Sequence, residues 1–418
     1  MSDDAPLDLD AIRARLAAER GPRYWRALEE LSDEPALQKA IADEFAPGAT
    51  AWHTGLSRRR FLQLMGASIA LAGLTACIRR PEREIIPYVR QPEDVVPGKP
   101  LYFSSALCEG GFARGVLVES HEGRPTKIEG HPGHPASLGA TDAGMQAEIL
   151  TLYDPDRSQA PSRDGVESTW DHFLGELAVE QARWRTDGGR GVLVVTPPTT
   201  SPTLRAQLAA FTHKYPNARW VPYDPLDRHA VYRGTELAFG RPLEARWHFD
   251  RARIVLGFDA DQLERGPQSL VCSRGWAASR APGPAMSRCY AAESTPTLYG
   301  ATADHQLPLR PEALLTLALS VAHQIGLPVP AASGPNDAWA RAVAADLMAH
   351  RGTGLVLAGE TASAELQALC HAMNAHLGNV GTTVTFSAPV SQPVDSFAEF
   401  GRLCDDMRAG RVQTLFLL

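Results

Sequence analysis

The sequence predicts a multi-domain α/β protein in which a small β-rich domain precedes doubly wound, Rossmann-like domains, the last of them incomplete. Its 418 residues exceed the usual size of one domain. Apolar residues make up 44% and charged residues 21%, which excludes wholesale disorder. Strand patterns alternate with helical patterns from residue 191 onward, an order typical of parallel sheets covered by helices.

The overall charge and the cysteine spacing exclude two classes of protein. Lys and Arg number 41 and Asp and Glu 48, for a net charge of −7, so no nucleic-acid partner is predicted. No two of the six cysteines lie within four residues of each other, which excludes a local CxxC cradle for zinc or an iron–sulfur cluster.

Residues 1–56 are predicted to form a helical N-terminal extension. Tyr24, Trp25, Leu28 and Leu31 recur at helical spacing. Short helices with narrow apolar stripes favour docking to a partner over an independent domain.

An export signal is predicted at residues 57–80, where paired arginines precede a short apolar segment. Its motif residues are Ser57, Arg58, Arg59, Phe61 and Leu62. The uncharged segment 64–76 would rise about 20 Å as a helix, which is too short for a permanent membrane span. This pattern is typical of a twin-arginine signal, and it predicts export by the Tat translocase to the periplasmic face of the bacterial inner membrane.

Cys77 is a possible lipidation site. It follows Leu74, Thr75 and Ala76 in a pattern similar to a lipobox, although an ordinary cleavage region or an uncut anchor has the same composition. A lipidated cysteine would hold the protein at the membrane surface.

Residues 81–100 contain five prolines and predict an extended linker. The following β-rich domain, 101–165, contains a hairpin with strands at 115–120 and 126–129. The next domain, 166–330, is α/β. Its predicted elements, with the strands expected to share one sheet, are strand 191–196, helix 203–215, strand 220–223, strand 253–258 and helix 313–325.

A second, partial α/β domain is predicted at 331–418. It begins with a helix at 336–350, capped by Asn336 or Asp337, and continues with strand 355–358, helix 362–377 and strand 414–418. Because the sequence ends inside the last strand, we expect it to be part of a longer product.

Three stretches together resemble one family. They are EGRPTKIEGHPGHP (122–135) with LYDPDRS (152–158); MSRCY (286–290) with ESTPT (293–297) and GATADH (300–305); and Asn374 with LGNVGT (377–382). They are similar to molybdopterin oxidoreductases of the dimethylsulfoxide-reductase and formate-dehydrogenase type. With the internal twin-arginine signal, the chain most resembles the molybdopterin-oxidoreductase-like, iron–sulfur subunit of bacterial alternative complex III.

The resemblance implies a role in electron transport. The family's complex is a membrane-associated respiratory assembly that oxidises quinol, and its partners include a multihaem cytochrome c and integral membrane quinol-binding subunits. Family members bind molybdopterin guanine dinucleotide and 4Fe-4S clusters. The family's subunits continue beyond this length, and their clusters are expected in a C-terminal region that this sequence lacks.

This sequence departs from catalytic members of the family. The domain at 101–165 resembles their N-terminal 4Fe-4S domain, yet it offers Cys108 alone where a cluster needs about four thiolates. Buried structural roles are predicted for the other downstream cysteines, Cys272, Cys289, Cys370 and Cys404. We therefore expect no cofactor, no metal and no catalytic residue in this chain.

Gly378, Asn379 and Gly381 would face the pterin in cofactor-bearing relatives, but the same residues suit a helix end followed by a tight turn, which is the favoured interpretation. His131 and His134 could form a short metal pair, although their places before prolines favour structural turns.

The sequence and its resemblance to this family leave three hypotheses for the function. The leading hypothesis is a non-catalytic scaffold in a quinol-oxidising respiratory complex. The alternatives are an active molybdopterin-dependent oxidoreductase and a periplasmic lipoprotein that binds a small solute.

Overall fold

The computed structural model describes residues 92–390 and 393–418, which form a mixed α/β unit with two parallel sheets. The predicted α/β class is therefore confirmed. The helical extension, the twin-arginine signal with Ser57, Arg58, Arg59, Phe61 and Leu62, and Cys77 lie outside the described residues. Most of the linker 81–100 does too.

A three-stranded antiparallel sheet comes first along the described chain. It consists of β1 (Leu101–Glu109), β2 (Phe112–His121) and β3 (Arg124–Gly130), in the order β1-β2-β3. The predicted hairpin is confirmed: Glu122 and Gly123 form its turn, both with positive φ, as a two-residue hairpin turn requires. Strand β1 was not predicted from the sequence. Small elements then connect to the α/β part: α1 (Ala143–Ala147), a 3₁₀ turn (Glu148–Leu152), β4 (Ser162–Arg163) and β5 (Val166–Glu167).

The next elements build a three-stranded parallel sheet and the region that follows it. They are α2 (Trp170–Asp187), β6 (Val192–Thr196), α3 (Pro202–Lys214), β7 (Arg219–Pro222), α4 (His229–Phe239) and β8 (Glu244–Trp247). The third strand of that sheet, β14 (Thr414–Leu417), comes from the far end of the sequence and pairs with β6, so that the order is β14-β6-β7.

A four-stranded parallel sheet lies between these distant segments, in the order β11-β10-β9-β12. Its strands, and the helices among them, are β9 (Ile254–Phe258), α5 (Ser269–Ser279), β10 (Arg288–Glu293), α6 (Leu298–Ala301), β11 (His305–Pro308), α7 (Pro311–Gln324), α8 (Asp337–Ala349) and β12 (Gly354–Ala358). The chain continues through α9 (Ala364–His376), β13 (Val384–Ser387), which pairs with β8, and α10 (Ser396–Arg408).

The main core covers both faces of this four-stranded sheet. Ile254, Leu256 and Phe258 of β9 pack in one layer with apolar residues of α7, α8 and α9. Val255 lies in the opposite layer with Trp247. Burial on both faces explains why these strands read as continuous apolar runs rather than as alternating patterns.

The strand partition differs from the prediction. Strands 191–196, 220–223 and 253–258 were expected in one sheet, but the first two belong to the three-stranded parallel sheet and the third to the four-stranded one. Strand pairing also crosses the predicted boundary at residue 330, because β12 pairs with β9 and β14 with β6. Local pattern identifies a strand, but its partner depends on chain segments far away in sequence.

Within the part of the chain that the structure describes, none of the helices has both the length and the apolar run that a membrane crossing requires.

Candidate functional site

A small cleft, with a cavity volume of about 70 Å³, opens where the carboxyl ends of β6 and β7 meet the tip of the β1–β2 hairpin. Ligands of α/β proteins bind in such crevices at the carboxyl ends of parallel strands, so this is the candidate site by position. The cleft is lined by Gly110, Gly111, Phe112, Pro198, Thr199, Thr200, Trp220, Pro222, Asp224, Asp227, Arg228, His229, Tyr232, Pro393, Val394 and Ser396.

The hairpin tip is fixed to the loop that follows β6. Both the backbone N–H and the hydroxyl of Thr200 donate to the Gly111 carbonyl, at 2.9 and 2.7 Å. Gly111 has φ +83°, and a Cβ there would lie 2.3 Å from the Pro198 carbonyl oxygen. Glycine is therefore required where the two loops meet.

Arg228 lies beneath the cleft in a buried ionic network. Its guanidinium donates to both carboxylate oxygens of Glu244, at 2.9 and 3.1 Å, and to Glu360 at 2.9 Å. The Tyr232 hydroxyl donates to the same Glu244 at 2.7 Å, and the Phe112 ring lies 5.4 Å from the guanidinium carbon. Arg228 therefore joins the hairpin tip, the start of α4, β8 and the loop after β12.

The network changes the pKa values of its members. Burial acts to lower the pKa of Arg228, but the two carboxylates outweigh burial and raise it. Burial raises the pKa of Glu360, and the neighbouring Asp261 and Glu244 add to that shift, while Arg228 opposes it. Because two carboxylates already hold Arg228, its charge is not available to an anionic ligand in the cleft.

The loop between β6 and α3 does not fit a dinucleotide phosphate. It reads PPTTSP (197–202), so three of its residues have no N–H to donate. The Thr200 N–H is used by Gly111, and the Ser201 N–H donates to the Thr199 hydroxyl at 3.1 Å. Ser201 itself caps α3 by accepting from Leu204 N–H. Phosphate cradles at helix N-termini need free backbone donors, and most of those in this loop are absent or already used.

The acidic groups of the cleft wall also have structural partners. Asp227 accepts hydrogen bonds from the backbone N–H and the hydroxyl of Ser396, at 3.1 and 2.8 Å. Asp224 accepts from Leu226 N–H at 2.9 Å and supports the same turn. The cleft is thus a mainly apolar and aromatic surface whose charged groups hold its walls together.

The predicted cofactor-facing residues lie in different parts of the described unit. Cys108 is exposed in β1, next to the hairpin tip and the cleft. Gly378, Asn379 and Gly381 follow α9 at the amino end of β12, where Asn379 lies 3.2 Å from the position of a Cβ on Gly354. Glu360, by contrast, follows the carboxyl end of β12. The structure therefore does not bring Cys108 and the 378–381 loop to one site.

The 378–381 loop has the geometry of a tight turn. Gly378 and Gly381 have positive φ, and Asn379 is fully buried, with its side-chain N–H donating to the Asn374 side-chain oxygen at 3.0 Å. The backbone oxygen of Asn379 accepts from Thr382 and Thr383. This arrangement supports the structural interpretation of the loop.

The histidines in the 131–134 turn also act structurally. The Nδ1 atom of His131 accepts from Gly133 N–H at 3.1 Å, and that of His134 accepts from Ala136 N–H at 3.3 Å. Both rings thus stabilise their own turn.

The thiols of the described residues are dispersed. Cys272, Cys289 and Cys370 are buried in the core, and burial raises their pKa values, to about 12 for Cys272. Cys404 is only half-buried, so the buried role predicted for it is wrong; its neighbour Leu403 takes the inward position on α10. Within 92–390 and 393–418, no three His, Cys, Asp or Glu side chains converge as a metal site would require. An iron–sulfur cluster does not fit this arrangement, because thiolates must converge within a few ångströms.

Sequence reasoning missed Arg228, Glu244 and Glu360. A signal was present for two of them, since Arg228 and Glu360 follow the carboxyl ends of predicted strands, where ligands and charged groups collect in α/β folds. Their convergence depends on the pairing of distant segments.

Comparisons with known proteins give one sequence relative. Over 250 residues the chain is 26% identical to the menaquinone reductase, molybdopterin-binding-like subunit, of Nitratidesulfovibrio vulgaris. That match covers 58% of this chain and 35% of the relative, so the chain spans about a third of the relative's length. No protein-family model matches the chain.

Two solved structures show a weaker likeness. Acetylene hydratase from Pelobacter acetylenicus aligns with a TM-score of 0.44 and 14% identity, over 68% of this chain and 45% of that one. The formyltransferase/hydrolase complex from Methylorubrum extorquens aligns with a TM-score of 0.36 and 18% identity, over 58% of this chain and 72% of that one. Neither score is high enough to establish a shared fold.

Proposed function

We propose that this chain is a non-catalytic, molybdopterin-oxidoreductase-like subunit of a membrane-associated respiratory complex that exchanges electrons with quinones, of the alternative complex III type. The observation that carries the proposal is the 250-residue similarity to a subunit named for menaquinone reductase. In this role the chain supports iron–sulfur and haem partners rather than transferring electrons itself.

The candidate site supports the scaffold part of the proposal. The cleft stands where a cofactor would bind in an α/β fold, yet Arg228 is neutralised and the 197–202 loop has few free N–H donors. Of the buried thiols, Cys272 and Cys289 lie in one core layer and Cys370 in the other, so the three do not gather at one site. Groups that would bind a pterin dinucleotide or a cluster instead hold the fold together.

The test is purification of the full chain from the membranes of its own organism through an affinity tag. We expect integral membrane subunits and a multihaem cytochrome to co-purify in fixed ratio, and the isolated chain to carry no stoichiometric molybdenum or pterin. Stoichiometric molybdenum and pterin on this chain would establish the active-enzyme alternative instead. A monomer free of membrane subunits would support the solute-binding lipoprotein.

The proposed location at the periplasmic face has its own test. Replacing Arg58 and Arg59 together by lysine should retain the protein in the cytoplasm, because the Tat translocase reads the arginine pair. The matched control replaces Arg79 and Arg80, which follow the apolar segment, in the same way. Equal export of both variants, measured by cell fractionation, would contradict the twin-arginine interpretation. The Cys77→Ser variant tests lipidation separately, through release from the membrane.

A further inference from the structure

Helix α2 carries an apolar stripe of which only one half is covered. Trp170, Phe173, Leu174, Leu177 and Trp184 follow the i, i+3, i+4, i+7 spacing of a single helix face. The C-terminal half is part of the core.

Trp184 anchors that covered half. Its ring packs edge-on against Tyr215 at 5.6 Å and against Phe416 of β14 at 5.8 Å, with Phe211 at 6.4 Å. The N-terminal half of the same face is open: Trp170 is 67% exposed, Phe173 45% and Leu174 54%.

The exposed half of α2 is held in a regular helical conformation by its N-cap and by a neighbouring hairpin. The Thr169 hydroxyl caps α2 by accepting from His172 N–H, which fixes the first turn. The β4–β5 hairpin contacts the helix, because Arg163 Nη1 of β4 lies 2.5 Å from Glu176 Oε1 of α2 and forms an ion pair with it. Trp170 and Phe173 also contact each other edge to face, with ring centroids 5.9 Å apart. A capped, braced helix that presents an aromatic pair to solvent is typical of an interaction surface.

Acidic residues border this surface. Asp164 and Glu167 lie on or beside the hairpin, and Asp171 and Glu176 lie on the helix. Arg163 offsets one of these four charges, and the Asp164 side chain is 93% exposed. The rim therefore carries about three uncompensated negative charges around an apolar centre.

We propose that the exposed half of α2, with Trp170, Phe173 and Leu174 at its centre, is a docking surface for another protein subunit, whose contact face is an apolar ridge flanked by Lys and Arg. The inference rests on the proposed function, because it assigns the surface to a partner within the respiratory complex. Charge complementarity selects this occupant: a second copy would bring two acidic rims together, and an anionic lipid surface would repel the rim.

The decisive experiment is photo-crosslinking of the full chain in its native membranes. A photoreactive phenylalanine analogue replaces Phe173 in one variant and Val179 in the matched control. Val179 is 71% exposed on the same helix but lies about 180° around it from Trp170. We expect position 173 to crosslink to another subunit about tenfold more than position 179, at a segment that mass spectrometry shows to be flanked by Lys or Arg. Equal yields at the two positions would overturn the proposal, as would products joined to lipid, to a second copy or to any other segment of the same polypeptide, residues 1–91 included.

A charge variant provides a second measurement. Reversal of Asp164 and Asp171 to lysine should lower the crosslink yield from position 173 by about tenfold, because the rim would then repel a basic partner. Circular dichroism checks that these exposed substitutions leave the fold intact. An unchanged yield in a folded variant would contradict the basic character of the partner.

The outcomes separate this inference from the proposed function. If the unaltered chain does not co-purify with membrane subunits, the proposed function fails. If it co-purifies with them but position 173 crosslinks to none of them, only the docking surface is wrong.

Discussion

Arg228 is a buried charge that connects distant segments of the described chain. Its guanidinium is held by Glu244 and Glu360, which come from segments more than a hundred residues apart. A buried ion pair adds little net stability over apolar residues of similar size, but removal of one partner leaves the others charged and unpaired. The position is therefore sensitive to substitution.

The Arg228→Met substitution should lower the free energy of unfolding by about 3–5 kcal/mol, because Glu244 and Glu360 would lose their counter-charge in a buried place. Chemical denaturation measures the change. The matched control is Arg233→Met on the same helix, where an exposed i,i+3 pair with Glu236 is worth at most about 1 kcal/mol. Equal losses in the two variants would contradict the buried network.

His371 is a fully buried histidine among aromatic rings. Its ring is parallel to that of Trp247 at 5.9 Å, with Phe239 and Phe386 nearby, and neither ring nitrogen has a hydrogen-bond partner. Burial lowers the pKa of His371 to about 4. The imidazole is therefore predominantly neutral in the folded protein at pH values well above 4.

Stability should fall as the pH decreases from 7 to 5. In this range the unfolded chain binds a proton at His371, whose ordinary pKa is about 6.5, whereas the folded chain does not, so protons favour unfolding. Relative to His371→Met, the natural protein should lose about 2 kcal/mol of unfolding free energy between these two pH values. The exposed His213→Met variant is the control and should keep the natural pH dependence. An unchanged dependence in His371→Met would show that the ring is solvated.

At the scale of elements, side chains form hydrogen bonds with backbone N–H and C=O groups that have no partner within the sheets. Asn374 of α9 acts as a substitute strand: its side-chain oxygen accepts from Val356 N–H at 3.0 Å, and its side-chain N–H donates to the Val356 carbonyl at 2.5 Å. It thereby satisfies the outer edge of β12, which ends the four-stranded sheet.

Helix α8 lacks the side-chain cap that the sequence predicted at its start. Asn336 precedes the helix, but its side chain makes no capping hydrogen bond.

The Asn374→Ala substitution should cost about 2–4 kcal/mol, since two buried backbone groups of β12 would lose their partners. Thermal or denaturant unfolding gives the value. The control is Asn217→Ala, where an exposed amide donates to the Asp187 carbonyl and water can replace the bond. A cost at Asn374 no larger than that at Asn217 would mean that water reaches the edge of β12.

At the scale of the whole described unit, Arg114 connects the antiparallel sheet to the α/β part. It is almost fully buried, forms ion pairs with Asp142 and Glu109, and donates to the Gly266 carbonyl at 2.9 Å. Gly266 belongs to the segment between β9 and α5, so this bond joins two sheets that do not pair with each other. The sheet is thus held by a few polar ties as well as by its own small core.

The Arg114→Met substitution should loosen the antiparallel sheet and leave the four-stranded core folded. Hydrogen exchange should increase about tenfold or more in β1, β2 and β3, and stay unchanged in β9 and β12, because opening becomes local. Lys127→Met, an exposed substitution in β3 of the same sheet, is the control. Uniform acceleration across all strands would show instead that the unit opens as a whole.

Local sequence patterns were enough to predict the α/β class and the approximate bounds of several main elements, including strand 191–196, helix 313–325 and strand 355–358. These bounds follow from local pattern, since a helix buried on one face shows a 3.6-residue period and a strand buried on both faces reads as a short continuous apolar run. It also predicted the turn roles of the 131–134 and 378–381 segments, whose glycines and prolines restrict the backbone locally.

The pairing of the strands and the meeting of the charged side chains could be seen only in the folded chain. β14 pairs with β6 across more than two hundred residues, and Arg228 meets Glu360 across 132. Parallel pairing leaves no local turn signal, because the partners are separated by long crossovers and the register depends on packing over the whole sheet. The cleft is formed by three such distant segments, and for that reason its lining could not be read from the order of residues alone.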